Sequence, residues 1–318
     1  MTDYLIEDWE KGDKAGLVSI GTHKLYLSVS GPDRKEGEPV VLLMHGLGST
    51  ISEWVLVREE VVPFARWVEY DRSGMGRSES PVQIPELISA KSVAAELDVL
   101  LKVSEIAPPF VLVCHSWGGF TGRELLHLRP NDVVGMVLVD PVTEFQFDKG
   151  SWGIFSTFAP MVRDLDWIEA SGLATTHVLS DEQWKAVRDD QNQTRHEETE
   201  AAEMRGARDD APGLICKCQL ENQALRAHPL SLMVADHPAD FQKMYDAGVA
   251  AGNGTQEERE ICRHYLSRWK EKDEEWRKPL LKLSSFNRYV RVTCGHNVHL
   301  VQPEKVMGEI RWVVENWK

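Results

Sequence analysis

The amino-acid sequence predicts an α/β protein built on a mostly parallel, doubly wound sheet. Three observations carry this. Continuous apolar runs, Val40-Val41-Leu42-Leu43-Met44, Phe110-Val111-Leu112-Val113 and Val133-Val134-Gly135-Met136-Val137-Leu138-Val139, have the texture of strands buried on both faces. Segments with helical spacing separate them, at about 89–104 (Ala94, Leu97, Leu100, Leu101) and from just after Ser116 to about Leu128. Strands alternating with helices of this length require crossovers, and crossovers give parallel pairing.

Taken in order, residues 17–30 alternate apolar and polar on either side of a Gly-Thr-His turn, which predicts a hairpin. Gly-Pro-Asp-Arg-Lys-Glu-Gly-Glu-Pro at 31–39 is a surface loop. The first buried run follows at 40–44 and ends in His45-Gly46. Trp67-Val68-Glu69-Tyr70 is a shorter strand, closed by Asp71-Arg72-Ser73-Gly74-Met75-Gly76-Arg77-Ser78. After the helix at 89–104 come the strand before Ser116, the helix to Leu128, and the run 133–139 ending at Asp140-Pro141. From about 145 to 226 there is no buried-strand run. Helical patterns with Trp152, Trp167 and Trp184 give way to a charged stretch at 195–210, so this segment reads as a helical insertion. Strand texture returns at 229–234 and 289–292, and an amphipathic helix is predicted from Glu304 to Trp317. No internal repeat or low-complexity tract interrupts the pattern.

The 318 residues allow one large domain or a core domain with an insertion. Hydrophobic residues at 42% and charged residues at 27% are ordinary for a water-soluble globular protein. A formal charge of −14 argues against nucleic acid or an anionic membrane as partner. The N-terminal sequence has neither the basic start nor the apolar stretch of a secretory signal, and no apolar run approaches a membrane span. Cys114, Cys216, Cys218, Cys262 and Cys294 are odd in number and scattered, unlike a disulfide framework. The expectation is a reduced, cytoplasmic protein. No phosphate-binding loop, dinucleotide fingerprint or metal-ligand cluster is apparent, so no cofactor and no metal are expected.

Val113-Cys114-His115-Ser116-Trp117-Gly118-Gly119 carries the chemistry. A serine hydroxyl is a poor nucleophile unless a base takes its proton and fixed donors meet the emerging oxyanion. A sharp strand-to-helix turn serves both needs, because it lifts Ser116 clear of the sheet and aims a helix N-terminus at the reacting oxygen. Such a turn wants small residues two before and two after the serine. Gly118 supplies the second, and Cys114 takes the first place, where glycine is usual. The plain alternative is a serine at a helix N-cap.

Four motifs in order make the chain resemble the α/β-hydrolase fold superfamily, in its serine-nucleophile branch, over nearly its whole length. They are His45-Gly46-Leu47-Gly48, Asp71 to Ser78, His115-Ser116-Trp117-Gly118-Gly119 and Cys294-Gly295-His296. The resemblance implies a core of residues 1–144 and 227–318 with a helical cap at 145–226 after the sixth strand. It implies an oxyanion hole after the third strand, for which the backbone N–H groups of Leu47 and Trp117 are the best candidates. It also implies that the catalytic histidine directly follows the glycine, which selects His296 over the nearby His299, while His45 and His115 have structural roles. The triad acid has two family locations. Asp140, after the sixth strand, is preferred, with Asp236 second, Asp240 third and Glu144 fourth; the alternative for Asp140 is a turn cap before Pro141.

A serine in this place argues against the aspartate-nucleophile branches. What remains is acyl chemistry on a small or medium, mainly apolar ester or lactone, with thioesters and carbon–carbon bonds beside a ketone also compatible. The cap tryptophans with Phe147, Phe155 and Phe158 either line an apolar pocket or fasten the cap to the core. A non-hydrolytic catalyst (acyltransferase, lyase or cyclase) and a ligand-binding receptor are the other two readings. The expected partner is a small hydrophobic acyl substrate.

Overall fold

The computed structural model describes residues 8–146 and 157–318. Among them eight strands form one sheet: β1 (Lys14–Ser19), β2 (Lys24–Ser30), β3 (Val40–Met44), β4 (Arg66–Tyr70), β5 (Phe110–His115), β6 (Val133–Val139), β7 (Leu230–Val234) and β8 (Asn287–Arg291). Their order across the sheet is β1-β2-β4-β3-β5-β6-β7-β8. The β1–β2 hairpin pairs antiparallel, as does β2 with β4, and every other pairing is parallel. The fold class predicted from the apolar runs is the one observed.

Each central strand divides its side chains between two layers, because successive residues point to opposite faces. Leu42, Met44, Leu112, Cys114, Met136 and Leu138 enter one core, beneath helices α2 (Ala90–Val103) and α3 (Gly118–Leu128). Val41, Leu43, Val111, Val113, Val137 and Val139 enter the other, with Trp54, Val57 and Val61 of the 51–61 segment, which includes α1 (Val55–Val61), and Val306, Ile310 and Val313 of the C-terminal helix. Both faces are therefore dry, which is why these strands read as unbroken apolar runs.

Between β6 and β7 the described residues hold no strand. They form α4 (Trp167–Ser171), α5 (Leu173–Thr176), α6 (Asp181–Gln191), α7 (Thr194–Gly206) and α8 (Asp210–Ile215). After β7 the chain makes a second helical excursion, α9 (His237–Ala250) and α10 (Gln256–Arg277), before returning through β8 to α11 (Val298–Val301) and α12 (Pro303–Glu315). The two excursions share a core. Phe158 and Met161 of the first pack with Phe241, Met244, Cys262 and Trp269 of the second.

The cysteine standing where a glycine is usual has a local explanation. A Cβ added at Gly122, one turn into α3, would lie 2.4 Å from Cys114 Sγ. The small residue has moved from the strand to the helix facing it. Gly122→Ala is therefore expected to destabilise the fold by about 1–3 kcal/mol through overpacking. Adding Cys114→Gly should recover much of that loss, and chemical denaturation of the single and double variants checks the coupling.

Candidate active site

Ser116 sits at φ +54, in the left-handed region that non-glycine residues rarely adopt. The strain is held by its neighbours. Ser116 N–H donates to Val139 O (3.1 Å), and Ser116 O accepts from Gly119 N–H (2.9 Å) and Val142 N–H (3.0 Å). A Cβ at Gly118 would stand 1.9 Å from Met44 O, so only glycine lets α3 begin this close to β3. The outcome is the sharp turn the sequence predicts, with Ser116 half-buried and lining a cavity of about 670 Å³. Energetically, such strain costs on the order of 1–3 kcal/mol and persists only where the surroundings over-determine it.

The loop after β3 presses against this turn: a Cβ at Gly46 would lie 3.3 Å from Ser116 Cβ. The backbone N–H groups of Leu47 and Trp117 donate to no protein acceptor among the described residues, and both residues line the cavity. Beneath the loop, buried Arg72 pairs with buried Glu203 of α7 through Nε (2.6 Å) and Nη2 (2.8 Å). The same guanidinium donates to Gly46 O (2.8 Å) and His45 Nδ1 (2.6 Å), and Glu203 Oε2 also accepts from Gly48 N–H (3.0 Å). His45 Nε2–H donates to Tyr70 O (3.1 Å). Burial and the Arg72 charge keep His45 neutral, well below the usual histidine range. Asp71 accepts from Ile51 N–H and Arg77 N–H (both 3.0 Å), an architectural use of that loop.

His296 also lines the cavity, half-buried, in the loop after β8. Its Nδ1–H donates to Asp140 Oδ2 at 2.5 Å. That contact fixes the proton on Nδ1 and leaves Nε2 with a lone pair. Asp240 takes a different part: its Oδ2 accepts the His296 backbone N–H (2.8 Å) and so holds the loop. The carboxylate lies so close that a Cβ at Gly295 would come within 2.1 Å of it. Asp236, half-buried at the start of α9, makes no hydrogen bond to His296. Glu144 is spent on Arg123 in a buried bidentate pair (2.5 and 2.8 Å). His299 is fully buried and stacked on Trp54, with ring centroids 4.3 Å apart.

Asp140 is completely buried, at φ +40. Burial alone would raise its proton affinity, but the Arg277 charge and the hydrogen bond with His296 outweigh it and hold the carboxyl far below the ordinary carboxylate range. Oδ1 accepts from Ala235 N–H (3.0 Å) and from Arg277 Nη1. His237 stacks on His296, with centroids 4.3 Å apart and planes 11° from parallel. Burial and the neighbouring His296 push it well below the usual histidine range. Ligand atoms of Asp140, His237 and His296 lie within 4.8 Å of one another, close enough for a metal ion, but the Arg277 guanidinium on the same carboxylate repels a cation there.

The cavity wall is mainly apolar, with Trp167, Ile168, Leu173, Trp184 and Leu300 among its residues. Of the aromatic residues singled out in the sequence, Trp167 and Trp184 line it. Phe158 is instead buried between the two excursions, while Phe147, Trp152 and Phe155 lie outside the described residues. A polar end carries Glu53, His196 and Glu200. Burial, and for Glu200 also the neighbouring Glu203, raises the proton affinity of both carboxyls.

The model of the Alpha/beta hydrolase family matches residues 40–309, most of the chain. This chain belongs to the α/β hydrolase family. A Gibberella zeae relative, "AB hydrolase superfamily protein", is 28% identical over 94% of this α/β hydrolase and 95% of its own length. A Hormonema carpetanum relative named "Probable transporter efuK" is 31% identical over 98% of the chain, which spans only 44% of that relative's length. Among solved structures, Cfl2 from Burkholderia cenocepacia superposes with a TM-score of 0.65 at 16% identity, covering 97% of both chains. A thermophilic esterase from Thermogutta terrifontis superposes with 0.57 at 18% identity, covering 95% and 98%. At these identities the structures speak for the shared fold. Among the described residues, no helix of this α/β hydrolase is long and apolar enough to cross a membrane.

Four site features carried no signal in the sequence: His237, Arg277, Trp269 and the Arg72–Glu203 pair. Each is placed by packing between segments far apart in the chain, and only Arg72 stands in a motif.

Proposed function

We propose that this α/β hydrolase is a serine hydrolase acting on a small or medium, mainly apolar ester or lactone. Ser116 Oγ attacks the carbonyl carbon as its proton passes to His296 Nε2. The oxyanion is received by the N–H groups of Leu47 and Trp117. The bond to the leaving oxygen then breaks, with the proton returned by His296, and water resolves the acyl-enzyme by the same steps. Asp140 holds His296 in the required tautomer and stabilises the imidazolium. Residues 145–226 act as a helical cap on a core of 1–144 and 227–318, and its apolar wall selects the acyl or leaving group.

The observation that supports this reading is a strained serine sharing one cavity with a histidine whose far nitrogen is bonded to a buried carboxylate. A fluorophosphonate probe tests it. Stoichiometric labelling of Ser116, lost in His296→Ala, is expected, with turnover of p-nitrophenyl esters of graded chain length. No labelling would favour a ligand-binding receptor. Labelling without ester turnover would favour a non-hydrolytic catalyst on the same scaffold.

A further inference from the structure

A nucleophile, a base and an acid do not by themselves require a cation on the acid, yet this acid has one. Arg277, at the end of α10, is buried and donates from Nη1 to Asp140 Oδ1. Its Nε donates to Asp273 Oδ1 (2.8 Å), one turn earlier on the same helix. Asp273 is fully buried, and its Oδ2 has no partner among the described residues. A row of charges, Asp273, Arg277, Asp140, thus runs from the helix to the His296 ring.

Arg277 and Asp273 do opposite jobs. Without the guanidinium, a carboxyl as buried as Asp140 tends to take up a proton. It would then offer O–H to His296 Nδ1 and drive the ring proton to Nε2, where the lone pair must be. With the guanidinium alone, the acid and Arg277 would cancel, and an imidazolium would form beside a neutral pair. Burial raises the proton affinity of Asp273 and the Arg277 guanidinium opposes that rise; ionised, Asp273 restores one net negative charge.

We propose that Arg277 and Asp273 are positioning residues that set the charge His296 faces, Arg277 keeping Asp140 a pure acceptor and Asp273 returning the negative charge that the forming imidazolium needs. This rests on the triad reading above. The other groups near His296 are Asp240 and His237 from α9, His115 at the end of β5 and His299 from α11. Burial holds those three histidines neutral. Arg291 at the end of β8 faces Asp273. None of them joins Asp140 to a second buried charge as Arg277 does.

The pH dependence of the rate at which a fluorophosphonate labels Ser116 is the measurement, since it needs no natural substrate. In Arg277→Gln the acid limb of that profile should move up by about one pH unit. In Asp273→Asn it should move down by about as much, and Arg277→Lys, which keeps the charge, should leave it near the native position. Thermal melts establish that each variant is folded; if Arg277→Gln does not fold, Asp273→Asn and Arg277→Lys decide. Folded, labelled variants whose limbs shift in the same direction, or not at all, overturn the inference. A native protein unlabelled at Ser116 across the pH range overturns the triad reading, and this one with it.

Discussion

Asp140→Asn is expected to lower kcat on a p-nitrophenyl ester by about 10⁴-fold at neutral pH, with KM little changed. The size follows from which way the amide must face. Two donors, Ala235 N–H and the Arg277 guanidinium, already occupy the Oδ1 position, so the asparagine must place its oxygen there. Its NH2 then points at His296 Nδ1, a position that now receives a donor where it had met an acceptor. The ring proton is forced to Nε2, and the base is lost although the geometry is kept. Asp236→Asn should leave kcat within about twofold, since that carboxylate makes no hydrogen bond to the ring. Steady-state kinetics of the two variants check the assignment, and the reverse ranking would move the acid to position 236.

The second large effect concerns the loop after β3. Glu203→Ala leaves Arg72 buried without its counter-charge and Gly48 N–H without its acceptor. Removing one partner of a buried ion pair costs about 3–5 kcal/mol, because the remaining charge stays uncompensated. The same change loosens the loop that carries the Leu47 N–H. Removal of one such donor elsewhere costs about 10²–10³ in kcat, and partial misplacement should cost about tenfold or more. Denaturant unfolding and ester kinetics of Glu203→Ala measure both. Native-like stability within about 1 kcal/mol would show that the pair is not the clamp its geometry describes.

The sheet was legible because its central strands are dry on both faces, so that 40–44, 110–113 and 133–139 announce themselves as apolar runs. The edges were less so. β8 exposes or half-exposes every residue, and it begins two residues and ends one residue earlier than its apolar letters suggest. Helix α1 escaped notice because Val-Leu-Val-Arg-Glu-Glu-Val shows too few turns for a helical period. Helix α10 escaped for another reason. Its buried positions Cys262, Trp269, Asp273 and Arg277 recur at helical spacing, but half of them are charged, and a count of apolar letters cannot see that stripe.

The candidate site divides in the same way. Ser116 and His296 stand in local motifs, where the turn dictates its own neighbours. Among the four carboxylates open in the sequence, position after a strand ranks Asp140 ahead of Asp236; the hydrogen bond to His296 Nδ1 that distinguishes them forms only where the end of β6 meets the loop after β8. Arg277 lies in a charged stretch that gives no reason to prefer it to Arg268 or Lys278.

The order in which the chain is made gives the shared core of the two helical excursions a further meaning. Phe158 and Met161 leave the ribosome long before Phe241 and Trp269, the side chains that cover them. Until α10 is synthesised, that shared core lacks Cys262 and Trp269 and leaves apolar surface uncovered, the kind of intermediate that chaperones attend. A nascent chain halted before residue 256 would therefore be a better substrate for aggregation than for refolding, even with the first seven strands already in hand.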